Sequence, residues 1–234
     1  MKKGILALTL AASVMLTGAG YAYWTDSLAI NNTVSTGEMK VEFIDKGQTG
    51  FPFGIAYDNA GEFAYVASEI DQTDAKTTTI TLSNMYPGVV GSYFAVIENK
   101  GTIPAVFDNA VVSFGANTDQ ELKDDIWTVA GYELYDKDDQ IKGANLAVAQ
   151  SLDELQAQLT TLFSGLRLEP GDYIMLDVPE EGYAKIKEFA PGWEPKEGHS
   201  LHFIMPTTVE NDDNAEDKTA EFAITINWKQ HNAQ

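Results

Sequence analysis

The chain has 234 residues, of which 35 are acidic and 15 are basic, and its formal net charge at pH 7 is -20. A surface of that sign repels nucleic acid and anionic lipid headgroups, which excludes both as partners. The chain has no cysteine, so its stability must come from a packed core rather than from disulfide bonds.

The N-terminal 22 residues have the pattern of a signal peptide. Lys2 and Lys3 form a basic start, residues 4–16 form an apolar run, and Gly20-Tyr21-Ala22 has the small-x-small form of a cleavage site. The apolar run is short for a permanent membrane span, although an uncleaved N-terminal anchor is the alternative. We therefore expect signal peptidase to cleave between Ala22 and Tyr23. The mature chain is then secreted and meets the membrane only before cleavage.

Residues 23–37, directly after the predicted cleavage site, have the pattern of a β-strand. Leu28, Ile30 and Val34 stand at even spacing and alternate with small and polar residues. This segment either pairs within its own domain or adds to a sheet edge of a neighbouring copy. Strand addition supplies main-chain hydrogen bonds for affinity and side-chain pockets for register. A head-to-tail contact of this kind does not close, so it builds filaments.

From residue 38 onward the dominant hydrophobic period is two, which predicts one β-rich domain over residues 38–234. The predicted strands cover residues 38–43, 77–83, 92–98, 105–107, 111–114, 128–135, 173–178, 201–205 and 221–228. Two capping-box patterns, Thr118 with Glu121 and Ser151 with Glu154, predict short helices. Together these elements predict an all-β fold, a jelly-roll β-sandwich of two antiparallel sheets with short helices in the connections.

The sequence contains no recognisable catalytic or zinc-binding motif. Its histidines are His199, His202 and His231, and no H-E-x-x-H pattern occurs. His199 and His202 fall on opposite faces of the predicted strand, so we interpret all three as surface residues. The phosphate-binding glycine loops and the G-x-S-x-G nucleophile elbow are also missing from the sequence. We therefore predict a protein that is not an enzyme, with no catalytic, cofactor or metal-binding residues.

Calcium is the one cofactor that the acidic clusters leave open. Residues 136–140 (DKDDQ) resemble the opening of a calcium loop, but Ile141 replaces the expected glycine and no glutamate closes the loop. Residues 210–217 are denser in carboxylate and amide oxygens. The alternative is that both clusters are solvated loops between strands, which keep a β protein soluble.

Three parts of the chain resemble the TasA/camelysin family. Residues 22–26 (AYWTD) are similar to the processing site of SipW-type signal peptides. Residues 82–88 (LSNMYPG) and 98–104 (ENKGTIP) resemble the family's L-S-N-x-x-P-G and E-N-x-G core, and the last strand, near Trp228, fits the family's C-terminus. The resemblance implies a secreted jelly-roll subunit of extracellular biofilm-matrix fibres. Each subunit donates its N-terminal strand to the next, with Leu28, Ile30 and Val34 as anchors.

The leading prediction is therefore a structural protein whose partner is a second copy of itself. One alternative is a cell-surface metalloprotease of camelysin type, which needs a metal site that includes His199, His202 or His231. The other alternative is a monomeric polysaccharide-binding jelly-roll module, in which Trp193 stacks on a sugar ring.

Overall fold

Two antiparallel β-sheets form the protein, with a few short helices in the connections. The structure, a computed structural model, describes residues 36–44, 55–57, 64–193, 201–209 and 218–231, with only the main chain of residues 55–57. The described strands and helices all fall within one compact unit, Gly37–Gln234. This architecture confirms the prediction of an all-β sandwich.

The elements follow in chain order. The described strands are β1 (Val41–Ile44), β2 (Ile55–Tyr57), β3 (Tyr65–Ile70), β4 (Thr77–Ser83), β5 (Val90–Tyr93), β6 (Val96–Asn99), β7 (Ala105–Phe114), β8 (Trp127–Tyr135), β9 (Ile141–Ala149), β10 (Arg167–Leu168), β11 (Tyr173–Met175), β12 (Leu201–Ile204) and β13 (Thr219–Gln230). The described helices are α1 (Gln120–Asp125), α2 (Leu155–Leu162), which follows a 3₁₀ turn at Leu152–Glu154, and α3 (Glu180–Phe189). In this described part of the chain, no helix is long and apolar enough to cross a membrane.

The first sheet is built from strand segments that continue one another in line. β5 and β6 run along one line, and β1 and β2 pair with them on one side. On the other side β11 pairs with β6 and β12 pairs with β5. β8 pairs with both β11 and β12, and β9 pairs with β8. The chain therefore leaves the sheet between β11 and β12, where α3 is inserted, and returns to it in register.

The second sheet has the strand order β10-β7-β13-β4-β3. Its central strand β13 alternates strictly, with Phe222, Ile224 and Ile226 buried toward the first sheet. The apolar rows of both sheets and of α2 meet in one main core, which includes Ile80, Phe203 and Leu159. Burying side chains of this size contributes about 1.5–3 kcal/mol each, which is the main stabilisation of a chain without disulfides.

The two sequence motifs that carry the family resemblance form the crossings between the sheets. In residues 82–88, Asn84 and Gly88 take positive φ angles of 56° and 90° and turn the chain from β4 to β5. In residues 98–104, the fully buried Asn99 donates from its Nδ2 to the carbonyl oxygens of Ile103 and Leu168, each at 3.0 Å. Its Oδ1 accepts from the N–H of Gly101 at 3.0 Å. Asn99 thus ties β6 of the first sheet to β10 of the second.

The structure corrects several strand predictions. Residues 92–98 are not one strand, because the ladder breaks between β5 and β6, where the N–H of Leu176 donates to the carbonyl oxygen of Ala95 at 2.9 Å. The strand predicted over 173–178 ends at Met175, where the chain leaves toward α3. Residues 105–114 form one strand that absorbs Asp108-Asn109 at a register shift against β13. The predictions also omitted β2, β3, β9, β10 and α3.

Both predicted capping boxes are wrong in detail, although helices follow them. Asp119 rather than Thr118 caps α1, because its Oδ1 accepts from the N–H groups of Glu121 and Leu122. The hydroxyl of Thr118 donates instead to the carbonyl oxygen of Glu221 at 2.6 Å. At the other box, the side chain of Ser151 makes no capping hydrogen bond. The cap of α1 is therefore local but lies one residue later than predicted, while Thr118 makes a tertiary contact instead.

The Asn99 link generates a stability prediction. Asn99→Ala removes three hydrogen bonds, one buried and two partly buried, so we expect the free energy of unfolding to fall by about 2–4 kcal/mol. The control is Asn109→Ala, at an exposed side chain that bonds Asp108 and Asn227, for which we expect a loss of about 0.5 kcal/mol or less. Urea unfolding followed by tryptophan fluorescence measures both, and equal losses would contradict the assignment.

Candidate functional site

The edge strand β3 presents main-chain groups that the second sheet does not use. In an antiparallel pair, alternate residues direct both their N–H and their C=O toward the same neighbour. The N–H of Asp71 donates to the carbonyl oxygen of Thr77 at 3.0 Å, which places the odd-numbered residues of β3 on the β4 side. The N–H groups of Val66, Ser68 and Ile70 therefore point away from β4. None of them has a hydrogen-bond partner among the described residues.

The side chains of the same three residues point into the sandwich. Val66 is buried in the main core, and Ile70 packs against that core. The Oγ of Ser68 is also buried, and it has no hydrogen-bond partner in the described part of the chain. β3 thus has an inward row of two apolar side chains and one hydroxyl without a partner among the described residues.

The edge of β9 is closed by its own side chain. Asn145 bends round the edge so that its Oδ1 accepts from the N–H of Leu146 at 2.9 Å. Its Nδ2 donates to the carbonyl oxygen of Leu162, at the end of α2, at 2.9 Å. A strand that approached β9 would have to displace both hydrogen bonds, and blocking an edge in this way protects against unwanted pairing.

The edges of β7 and β1 are closed in a similar way. The outward N–H of Val112 in β7 donates to the Oε1 of Gln156 in α2 at 3.0 Å. The outward N–H of Phe43 in β1 donates at 2.6 Å to the carbonyl oxygen of Ala75, in the turn between β3 and β4. On β3, by contrast, the side-chain contact is to a carbonyl group, because the Nε2 of Gln72 donates to the carbonyl oxygen of Ile70 at 3.1 Å, and the outward N–H groups of Val66, Ser68 and Ile70 have no partner among the described residues.

The chain enters the sandwich in a fixed position next to the predicted donor segment. Gly37 lies so close to Ile103 that a Cβ at Gly37 would stand 2.1 Å from its Cγ2. The N–H of Glu38 donates to the Oγ1 of Thr102 at 2.9 Å, and the N–H of Thr102 donates back to the carbonyl oxygen of Glu38 at 2.8 Å. Anchoring of the domain thus begins at Glu38. The predicted site residues Ala22, Tyr23, Leu28, Ile30 and Val34 lie outside the described residues, and their roles stay predictions.

The structure overturns the interpretation of His202 as a surface residue. Its side chain is 2% exposed and lies on the outer face of the first sheet, beneath the segment that contains α3. Its Nδ1 is 2.9 Å from the Oγ of Ser92, and its ring meets the ring of Trp193 edge-on at 5.4 Å. Burial lowers the pKa of His202 to about 3, so the imidazole is neutral at pH 7. His231 is exposed beside Arg167, and His199 lies outside the described residues.

Trp193 is not available for sugar stacking. It is 5% exposed and packs with Val90, Ile186 and Ile204 in a second apolar cluster under α3. Its ring also contacts the rings of Tyr183 and His202. Trp193 thus packs the insertion against the sheet, which is a structural role.

The carboxylates of residues 136–140 are engaged in a hairpin turn between β8 and β9. The Oδ1 of Asp136 accepts from the N–H groups of Gln140 and Asp138, at 2.9 and 2.8 Å, and these backbone hydrogen bonds lower the pKa of Asp136. Asp138 pairs with Lys137, and Asp139 accepts from the hydroxyl of Tyr173 at 2.7 Å. These carboxylates do not converge on one point. The acidic residues 210–217 lie outside the described residues.

The pockets of the described region do not bring together groups for catalysis. A groove of about 640 Å³ between β9 and the start of α3 is lined by Ala144, Asn145, Leu146, Pro179, Glu180 and Glu181. An interior cavity of about 10 Å³ has an apolar lining apart from the pair formed by Tyr93 and Thr78. Among the described residues, no three histidine, aspartate or glutamate side chains come close enough to hold a metal ion.

Comparison with known proteins identifies no relative. The chain matches no protein-family model, and no curated protein and no solved structure is significantly similar to it. The sequence contains one signal for the edge strand β3, which is the alternation of inward and outward residues over 65–70 (YVASEI). It was missed because a serine interrupts the apolar row and an outward tyrosine and alanine weaken the contrast between the two faces.

The buried imidazole predicts an acid-sensitive fold. The unfolded state takes up a proton near pH 6.5, whereas folded His202 resists protonation down to about pH 3. Its contribution to stability is therefore complete above pH 6.5 and is lost as the pH falls toward 3. We expect a loss of about 2 kcal/mol between pH 7 and pH 5 that is missing from His202→Gln.

The matched control for this prediction is His231→Gln, because His231 is exposed. It should keep the pH dependence of the unmodified protein. Urea unfolding at several pH values measures all three proteins, and an unchanged slope in His202→Gln would contradict the prediction.

Proposed function

We propose that this chain is a secreted structural subunit that polymerises head-to-tail into extracellular filaments of a biofilm-matrix type. In this proposal, residues 23–37 of one copy add as a strand to the β3 edge of the next copy. The observation that carries the proposal is the row of outward N–H groups at Val66, Ser68 and Ile70, which have no partner among the described residues. The strand-like pattern of Leu28, Ile30 and Val34 supplies the complementary element.

The geometry of strand addition suits both segments. β3 has six residues, so its edge is about 20 Å long, and a donor segment of similar length covers it. Main-chain hydrogen bonds give the affinity, and the inward side chains of the donor fill the space next to Val66 and Ile70. Because donor and acceptor are different surfaces of one chain, the contact repeats without closing.

Charge favours this contact over others between copies. A chain of net charge -20 repels its copies, yet residues 27–36 (SLAINNTVST) contain no charged side chain. The acceptor row of Val66, Ser68 and Ile70 is also uncharged. Assembly through these segments brings no like charges into direct contact, and salt screens the remaining repulsion between subunits.

The two alternative functions have less support. A metalloprotease site would have to use His202, which is buried against Ser92 and Trp193. Among the described residues, no other histidine lies close enough to share a metal ion with it. A polysaccharide site at Trp193 would require a ring that is instead covered by Tyr183 and His202. Secretion rests on the signal-peptide pattern of residues 1–22.

The donor half of the proposal is tested by charge substitution. Leu28→Asp with Ile30→Asp places two carboxylates against an apolar interior, which is prohibitively unfavourable. We expect the mature chain with both changes to stay a folded monomer by circular dichroism and to form no filaments in negative-stain electron microscopy. A mature chain that begins at Gly37 should behave in the same way. Filaments from the double variant would falsify the donor assignment.

The acceptor half is tested by removing one N–H group from the β3 edge. Ile70→Pro deletes an outward N–H without breaking a β3–β4 hydrogen bond, and proline is tolerated on such an edge. We expect this variant to fold but to lose filaments, whereas Ile70→Val, which keeps the N–H, forms them. If filaments of both variants look alike under the microscope, β3 is not the acceptor.

A further inference from the structure

The buried hydroxyl of Ser68 is the unexplained feature of the acceptor edge. It stands between Val66 and Ile70 in the inward row of β3, and its Oγ has no hydrogen-bond partner in the described region. A hydroxyl removed from water without a partner destabilises the protein, so such groups in folded proteins have an explanation. Ser68 lies on the strand whose outward N–H groups also lack partners among the described residues, which points to one missing neighbour for both.

The donor segment carries a matching uncharged polar residue in its inward row. Residues of even number share one face of an extended strand, and from position 28 to position 34 they are Leu28, Ile30, Asn32 and Val34. Asn32 is the polar member of that stretch, whereas Asp26, farther along the same row, carries a charge that is unfavourable to bury. It is flanked by Ile30 and Val34 in the same way that Ser68 is flanked by Val66 and Ile70. The asparagine amide offers both donors and an acceptor, and a serine hydroxyl is both donor and acceptor.

We propose that Asn32 of one copy hydrogen-bonds Ser68 of the next copy and thereby sets the register of strand addition. This inference rests on the proposed function, because it names the pairing within the same contact. With Asn32 opposite Ser68, Ile30 and Val34 lie opposite Ile70 and Val66 in an antiparallel arrangement. In a parallel arrangement the partners are exchanged, so that Ile30 lies opposite Val66 and Val34 lies opposite Ile70.

The neighbouring registers are less favourable, and the register that places Asp26 against Ser68 would bury a charge. A shift by two residues places Asn32 against an apolar side chain and an apolar donor residue against Ser68, which leaves two buried polar groups unsatisfied. A shift by one residue turns Asn31 and Thr33 inward and sends the apolar row to solvent. A single buried polar pair is thus sufficient to select one register, as buried asparagines do in other assemblies.

Disulfide trapping tests the pairing directly, because the chain has no cysteine of its own. Residues that face each other across a hydrogen-bonded pair have Cα atoms about 5.5 Å apart, within the range of a disulfide. We expect the mature chain with Asn32→Cys and Ser68→Cys, oxidised during assembly, to give a ladder of linked subunits on a non-reducing gel. Asn31→Cys with Ser68→Cys is the matched control, and it should give about a tenth of that product or less, because Asn31 faces the other side.

The outcomes separate this inference from the proposed function. A bridge that closes within one chain supports the Asn32–Ser68 pairing but overturns the head-to-tail exchange. Equal bridging from Asn31→Cys, or no bridge from Asn32→Cys while the unmodified protein forms filaments, overturns the register and leaves the proposed function standing. If the unmodified protein forms no filaments and the variants form no bridge, both are overturned.

A second measurement uses the polarity of the pair. Asn32→Val or Ser68→Val alone leaves the other group buried without a partner, so each should raise the critical concentration for assembly about tenfold. The double variant joins two apolar side chains and should assemble better than either single variant. Sedimentation of filaments measures the critical concentration. Additive effects of the two changes would overturn the pairing.

Discussion

Hydrogen bonding at the edges of the two sheets is the constraint on which this fold depends. A β-sandwich without disulfides gains its stability from continuous ladders, but every ladder ends in a strand with unused N–H and C=O groups. Here Gln156 of α2 accepts a hydrogen bond from β7, and Asn145 of β9 donates one to the end of α2. The carbonyl oxygen of Ala75, in the turn after β3, accepts one from β1. On β3, three successive outward N–H groups find no partner among the described residues. The proposed assembly would meet the same need for main-chain pairing that stabilises the fold.

The second determinant of the architecture is the interruption of the first sheet. Because β11 and β12 occupy the same line against β8, the intervening chain is free to form α3 on the outer face. That insertion covers His202 of β12, which would otherwise be a surface residue of the sheet, and packs its own Trp193 against it. An outer layer of this kind shields the hydrogen bonds of the central strands from water. It also explains why residues that look functional in the sequence are structural.

The acidic charge of the chain is compatible with the proposed assembly, because the charged side chains of the β8–β9 hairpin and the residues of the proposed contact are different parts of the chain. The acidic side chains of the hairpin between β8 and β9 are engaged by backbone N–H groups, by Lys137 and by Tyr173. The proposed contact uses instead the uncharged residues 27–36 and the uncharged inward row of β3. In the proposed assembly, the acidic surface disfavours other contacts between copies. Specificity would come from the matching of polar and apolar positions along the strand rather than from surface charge.

The sequence by itself determined the all-β class, the strand Thr77–Ser83 to the residue, and the strand over residues 221–228, which lies within β13. These follow from local rules, because alternation and turn residues act over a few neighbours. Only the tertiary structure decided that residues 92–98 divide into two strands, that Asp119 caps α1, and that His202 and Trp193 are buried. It also decided which edge N–H groups are closed among the described residues, since closure of an edge depends on distant side chains and carbonyl groups. Those partners are tens of residues apart in the chain, and no local pattern records which of them meet.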